Sequence, residues 1–201
     1  MVRVPKFCAQ CHAEMTQKNA RKFCGKECSD LWWNEQRTVG ETWGEYSNRR
    51  YGVLPDVFPA STTDLAWLAG IIDGEGTISI YKEQRPANKS GYRYYSVVEI
   101  SNSNEDIINR LSAILPDSAV KMRANKPKPN HKQVWKLKIT RRWTKPVLTT
   151  ILPYLVGKRK QAEVVLAFQR AVEAAPRRTG GVTEVFEGYK QQITKLNKRG
   201  I

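Results

Sequence analysis

Leu65-Ala-Trp-Leu-Ala-Gly-Ile-Ile-Asp-Gly-Glu-Gly76 is apolar around its whole circumference for two helical turns and then ends in two acids. Ser61, Thr62, Thr63 and Asp64 offer N-caps just before it, and Gly74 and Gly76 are stop signals, so a helix running to about Asp73 is expected. Lacking a polar face, such a helix should be buried on every side. Ala66 and Gly70 are four apart, as are Ala69 and Asp73, which gives a stripe small enough for another helix backbone to approach closely. Glu75 lies beyond the last turn, where the helix dipole disfavours a carboxylate by roughly 0.3–1 kcal/mol. A divalent cation would reverse that penalty.

Periodicities continue on the carboxyl side. Thr77–Tyr81 and Tyr92–Ser101 alternate as half-buried strands, with Ile78, Ile80, Val98 and Ile100 on one side. A helix follows from Asn104 or Glu105 through Leu115, with Ile107, Ile108, Leu111 and Ile114 at helical spacing and Pro116 as its stop. Strands over Ala119–Arg123 and Gln133–Thr140 come next, then helices over Thr144–Val156, Lys158–Ala175 and Thr183–Lys195. From 61 onward the order is α-β-β-α-β-β-α-α, an α+β arrangement in which helices back one antiparallel sheet.

Residues Leu68-Ala-Gly-Ile-Ile-Asp-Gly-Glu-Gly76 closely resemble the nine-residue signature of the LAGLIDADG homing endonucleases. Pro153-Tyr-Leu-Val-Gly-Lys-Arg-Lys-Gln-Ala162 resembles that family's later lysine-bearing segment, and the resemblance covers about 61–175. It implies an αββαββα core with a saddle-shaped antiparallel sheet. One copy of the signature implies a homodimer with contact through Ala66, Ala69, Gly70 and Asp73, and with Glu75 from each subunit near the two-fold axis. Two adjacent carboxylates resist joint ionisation unless a hard cation lies between them, so Mg²⁺ (or Mn²⁺) on Glu75 is implied. The resemblance further implies that Asn102 orients the attacking water and that Lys158 stabilises the phosphate in the transition state. The implied activity is site-specific cleavage of both strands of a long, roughly palindromic DNA, in an intron- or intein-associated mobile element. A non-cleaving regulator or an intron-RNA splicing helper on the same fold is the rival, but relatives of that kind tend to lose the acid, and Glu75 is present.

Charge agrees with a nucleic-acid partner. The 34 Lys and Arg against 19 Asp and Glu leave +15, which argues against a neutral metabolic enzyme. Ser118–Ala162 carries 13 Lys or Arg and no acid in 45 residues. With Met122, Trp135, Leu137 and Ile139 buried, alternation exposes Lys121, Arg123, Lys136 and Lys138. The same rule on the first two strands exposes Ser79, Tyr81, Arg93, Tyr95 and Glu99. A basic, twisted antiparallel face can enter the major groove, and Arg141 and Arg142 are expected on phosphate.

At the amino end, Cys8-x2-Cys11-x12-Cys24-x3-Cys28 has two chelating pairs that suit a closed, structural tetrahedral Zn²⁺ site. Residues 1–30 are therefore read as a four-cysteine, zinc-finger-like module, 31–60 as a short helix and linker, and 61–201 as the endonuclease domain with its C-terminal helices. The sequence has no apolar run long enough for a membrane span and no signal-peptide stretch at its start, so a soluble intracellular protein is expected.

Overall fold

The structure, a computed structural model, describes residues 7–8, 11–14, 25–28, 31, 42–85, 91–115, 120–125, 132–139, 141–175 and 183–198. Contacts divide the chain into two units, Met1–Glu41 and Thr42–Ile201.

In the second unit the elements run α1 (Trp43–Tyr51), α2 (Thr62–Glu75), β1 (Gly76–Gln84), β2 (Tyr92–Asn102), α3 (Glu105–Ile114), β3 (Val120–Asn125), β4 (Val134–Ile139), α4 (Arg141–Ile151), a 3-10 turn (Leu152–Tyr154), α5 (Arg159–Ala174) and α6 (Thr183–Leu196). Ser61 caps α2, its hydroxyl accepting the Asp64 N–H at 3.1 Å. Asn104 does the same for α3 through the Asp106 N–H at 2.9 Å. The helix expected to run unbroken to Val156 ends at Ile151 instead, because Pro153 has no N–H to continue the ladder.

The sheet is wholly antiparallel in the order β1-β2-β4-β3. Its register sets Ile78 opposite Val98 and Val98 opposite Ile139, with Ile100 opposite Leu137. These side chains form the helix-facing layer and are fully buried against Leu68, Ile72, Leu148 and Phe168. Each such side chain removed from water contributes roughly 1.5–3 kcal/mol. At the carboxyl end α6 closes over β1 and α5. Phe186 meets Phe168 edge-on at 5.4 Å between centroids, and Glu187 accepts from both Lys82, at 2.8 Å, and the Tyr94 hydroxyl.

The stretch read as helix and linker over 31–60 divides between the units. Residues 42–60 pack into the second: Trp43 N–H donates to the Ala175 carbonyl at 3.1 Å, Phe58 N–H donates to the Thr150 hydroxyl at 2.7 Å, and the Phe58 ring is 2 % exposed. Among the described residues, no helix is long and apolar enough to cross a membrane.

Candidate functional site

Helix α2 ends where β1 begins, with Gly76 as the joint. A Cβ on Gly76 would stand 2.6 Å from the Ile72 carbonyl oxygen, so only glycine lets the strand leave the helix this closely. The last helical residue, Glu75, is thereby held at the rim, exposed and with no partner among the described residues. Asn102 sits at the same end of the sheet, two residues beyond the Ile100 that pairs with Gly76. Its Oδ1 accepts the Asn104 N–H at 2.8 Å, an Asx turn that leads into α3.

Asp73 behaves differently from Glu75. Its Oδ2 accepts the N–H of Val156 at 2.7 Å and of Gly157 at 3.1 Å, and its Oδ1 accepts the N–H of Lys158 at 2.8 Å. Burial pushes the carboxyl up, but these backbone bonds and the Lys158 charge outweigh it and hold it below its ordinary 3.8. The Lys158 ammonium donates in turn to the Asp73 backbone carbonyl. Asp73, expected at the helix interface, is thus committed within the chain. A signal for this was present in the sequence: α5 starts after Val156-Gly-Lys158 with no Ser, Thr, Asp or Asn to cap it, so its acceptor had to come from elsewhere.

Helix α2 is not buried on every side. Leu65, Leu68, Ala69 and Ile72 face the core, while Ala66, Gly70 and Gly74, spaced by four, form an exposed stripe. A Cβ added at Gly70 or Gly74 would meet nothing within 4 Å. Ala69, expected at a dimer contact with Ala66 and Gly70, is 0 % exposed and lies behind the stripe, which Gly74 extends.

On the face away from the helices, the register aligns Ser79, Tyr81, Arg93, Tyr95, Glu99, Lys136 and Lys138, and places the backbones of Lys121 and Arg123 in the same rows. These residues are not independent. Tyr81 and Tyr95 pack edge-on with centroids at 5.7 Å, the Tyr81 hydroxyl donates to Glu99 at 3.1 Å, and Lys138 pairs with Glu99 at 3.0 Å. The Lys138 ammonium also lies 5.3 and 5.5 Å from the two tyrosine rings. Burial and the Glu99 charge push the Tyr81 hydroxyl up. Tyr81 and Glu99 join across the Ser79–Val97 pair, and that closure leaves Ser79 8 % and Val97 0 % exposed. Ser79 is therefore corrected from an exposed reading residue to a covered one. Arg93 and Lys136 are exposed. Arg142, expected on phosphate, donates to the carbonyls of Tyr51 and Gly52 and so closes the end of α1. The side chains of Lys121, Arg123 and Arg141 lie outside the described residues.

In the first unit, Phe7 and Glu14 pair as an antiparallel bridge and Cys8 N–H donates to the Ala13 carbonyl at 2.9 Å. His12, whose N–H donates to the Cys8 carbonyl at 3.0 Å, takes a positive φ of 55°. The sulfur atoms of Cys8, Cys11 and Cys28 lie within 4.8 Å of one another. Cys24 falls outside the described residues.

A family model described as LAGLIDADG endonuclease matches residues 68–172, more than half of the chain. No curated protein matches in sequence. Among solved structures, the homing endonuclease I-CvuI in complex with its target is similar at 20 % identity and a TM-score of 0.56, over 70 % of this chain and 87 % of that one. An archaeal intron-encoded homing endonuclease, I-Vdi141I complexed with DNA, gives 15 % and 0.57, over 69 % and 87 %. The I-LtrWI endonuclease bound to target DNA gives 19 % and 0.52, over 74 % of this chain and 51 % of that one. At these identities the likeness is one of fold.

Proposed function

We propose that this chain, which belongs to the LAGLIDADG endonuclease family, is a site-specific double-strand DNA endonuclease that works as a homodimer with a divalent cation. The observation that carries the reading is the pairing of a Glu75 carboxylate that has no partner among the described residues with the exposed Ala66–Gly70–Gly74 stripe on one helix. A stripe of small residues on an apolar helix suits a second copy of itself, and a two-fold contact along α2 gives each composite site one Glu75 from each protomer.

Glu75 fits a hard cation: it is an oxygen donor at the carbonyl-rich, electronegative end of α2, with no protein cation bound to it among the described residues. When bound, Mg²⁺ or Mn²⁺ supplies an activated water and charge to offset the leaving 3′ oxygen. The chain does the rest. Lys158 offers a positive charge to the phosphate, and the Asn102 amide offers hydrogen-bond donors to water. Arg93 and Lys136 face the duplex from the sheet, with Lys121 and Arg123 in the neighbouring rows; Arg141, whose chain position follows β4, is read as a phosphate contact. The three described thiols suit zinc, with Cys24 as the fourth ligand of a structural site. DNA complexes of the similar endonucleases support the partner.

The test is cleavage of DNA carrying the uninterrupted sequence that flanks the gene, with Mg²⁺, by the wild type and by Glu75→Gln. Metal-dependent double-strand cutting lost in the variant is expected. Binding without cutting by the wild type would favour a regulator or an intron-RNA binder.

A further inference from the structure

We propose that Asp73 is a positioning residue that acts through Lys158: its carboxylate fastens the Val156–Lys158 turn to the end of α2 and so fixes the Lys158 ammonium at the helix end that carries Glu75. The inference rests on the nuclease reading above. One carboxylate serves three consecutive backbone donors, at 2.7, 3.1 and 2.8 Å, across 85 residues of sequence in the case of Lys158. Helix α5 has no capping side chain of its own, so this contact decides where its N-cap residue, Lys158, sits. The Lys158 side chain then turns back onto the Asp73 carbonyl. Backbone and side chain of one lysine are both tied to one residue, two positions before the acid proposed to hold the cation.

Bonding to a carbonyl leaves the ammonium its charge, and an ammonium has three donors, of which one is used here. The remaining two suit phosphate oxygens. Asp73 itself is occupied by backbone N–H groups on both oxygens, which fits support of Lys158 and not a direct part in the chemistry. Positional errors of about 1 Å in such a group can cost on the order of 100-fold in rate.

Two measurements test this on the full chain. In single-turnover cleavage, Asp73→Asn and Lys158→Met should each slow the chemical step about 10- to 100-fold, with target affinity in Ca²⁺ changed less than about 3-fold. The double variant should be no slower than Lys158→Met alone; penalties that multiply would overturn the inference. In the DNA-free protein, amine acylation read by mass spectrometry should find Lys158 protected relative to Lys160. That protection should vanish in Asp73→Asn while the protection of Lys82, paired with Glu187, stays. Unchanged labelling of Lys158 would overturn the proposal. Should Asp73→Asn not fold, Asp73→Glu keeps the charge one methylene farther out and carries the same expectations. A wild type that cuts no DNA overturns the nuclease reading and the reaction role with it, whereas normal cutting by Asp73→Asn overturns this inference alone.

Discussion

Asp73 and Glu75 end the same helix with the same charge, yet the carboxylate of Asp73 accepts three backbone N–H groups and that of Glu75 accepts none among the described residues. Removing the first strands three donors at a helix start; removing the second strands nothing. The two acids of the signature thus divide into one that holds the protein together and one held in readiness.

Glu75→Gln should therefore stabilise the fold while abolishing its chemistry. Relief of the unfavourable dipole contact amounts to roughly 0.3–1 kcal/mol, a rise of about 1–4 °C in melting temperature. Cleavage should fall at least about 100-fold. Thermal melts and cutting rates on one preparation check both, and a lower melting temperature would reveal a structural partner for Glu75.

Gly70→Leu separates folding from assembly. The space above Gly70 is open, so leucine fits the single chain, and the helix gains about 0.8–1 kcal/mol in propensity. The same side chain blocks close approach of a second helix. Sedimentation should show a folded monomer that cuts no DNA; a dimer of normal activity would remove the stripe from the interface.

Acid should loosen α6. The Lys82 ammonium, then the Tyr94 hydroxyl, hydrogen-bond Glu187 and hold its carboxyl below its ordinary 4.5. A depressed carboxyl stabilises the fold above its unfolded value and loses that contribution as pH falls through the folded value. Glu187→Gln should melt a few degrees below wild type near pH 7, and the gap should close as pH falls below the carboxyl's ordinary 4.5 and through its depressed folded value. A gap independent of pH would mean that packing of Phe186 and Tyr189 carries the helix alone.

Metal removal should act on one unit. A Cys-rich segment of about 40 residues buries too little surface to fold without its ion. Purified protein should hold about one zinc per chain, and chelation should open residues 1–41 to protease while 42–198 stays resistant. His12→Gly should leave the zinc content unchanged, since His12 supplies a turn conformation. Loss of the metal in that variant would make it a ligand.

Much of this was legible from residue patterns. Ser61 before an apolar helix, and Ile78, Ile80, Val98 and Ile100 in alternation, placed α2 and the central strands within a few residues. The inward side of α2 was not legible, because a helix apolar all round carries no polar face to mark its outside; Ala69 and Ala66 differ only in what the rest of the chain puts beside them. The uncapped start of α5 calls for an acceptor, but the Asp73 contact spans 83 to 85 residues, and no local pattern says which residue supplies it. Phe58, between Pro55 and Pro59, looked like linker because turn residues hid a single core anchor. Ser79 obeyed its alternation and is still covered, since facing outward is a matter of backbone period and exposure a matter of neighbours.

Tyr81, Tyr95, Glu99 and Lys138 hold one another in the protein alone, and under the proposed function it is this linked cluster that meets the DNA. A groove read by independent side chains could drift toward a new target one substitution at a time, each altering one base preference. Here a change at Glu99 unties Tyr81 and Lys138 together, and residues in contact do not contribute additively. Adaptation to a mutated host site would proceed in blocks of neighbouring base pairs, with single changes passing through variants that read neither the old sequence nor the new one well.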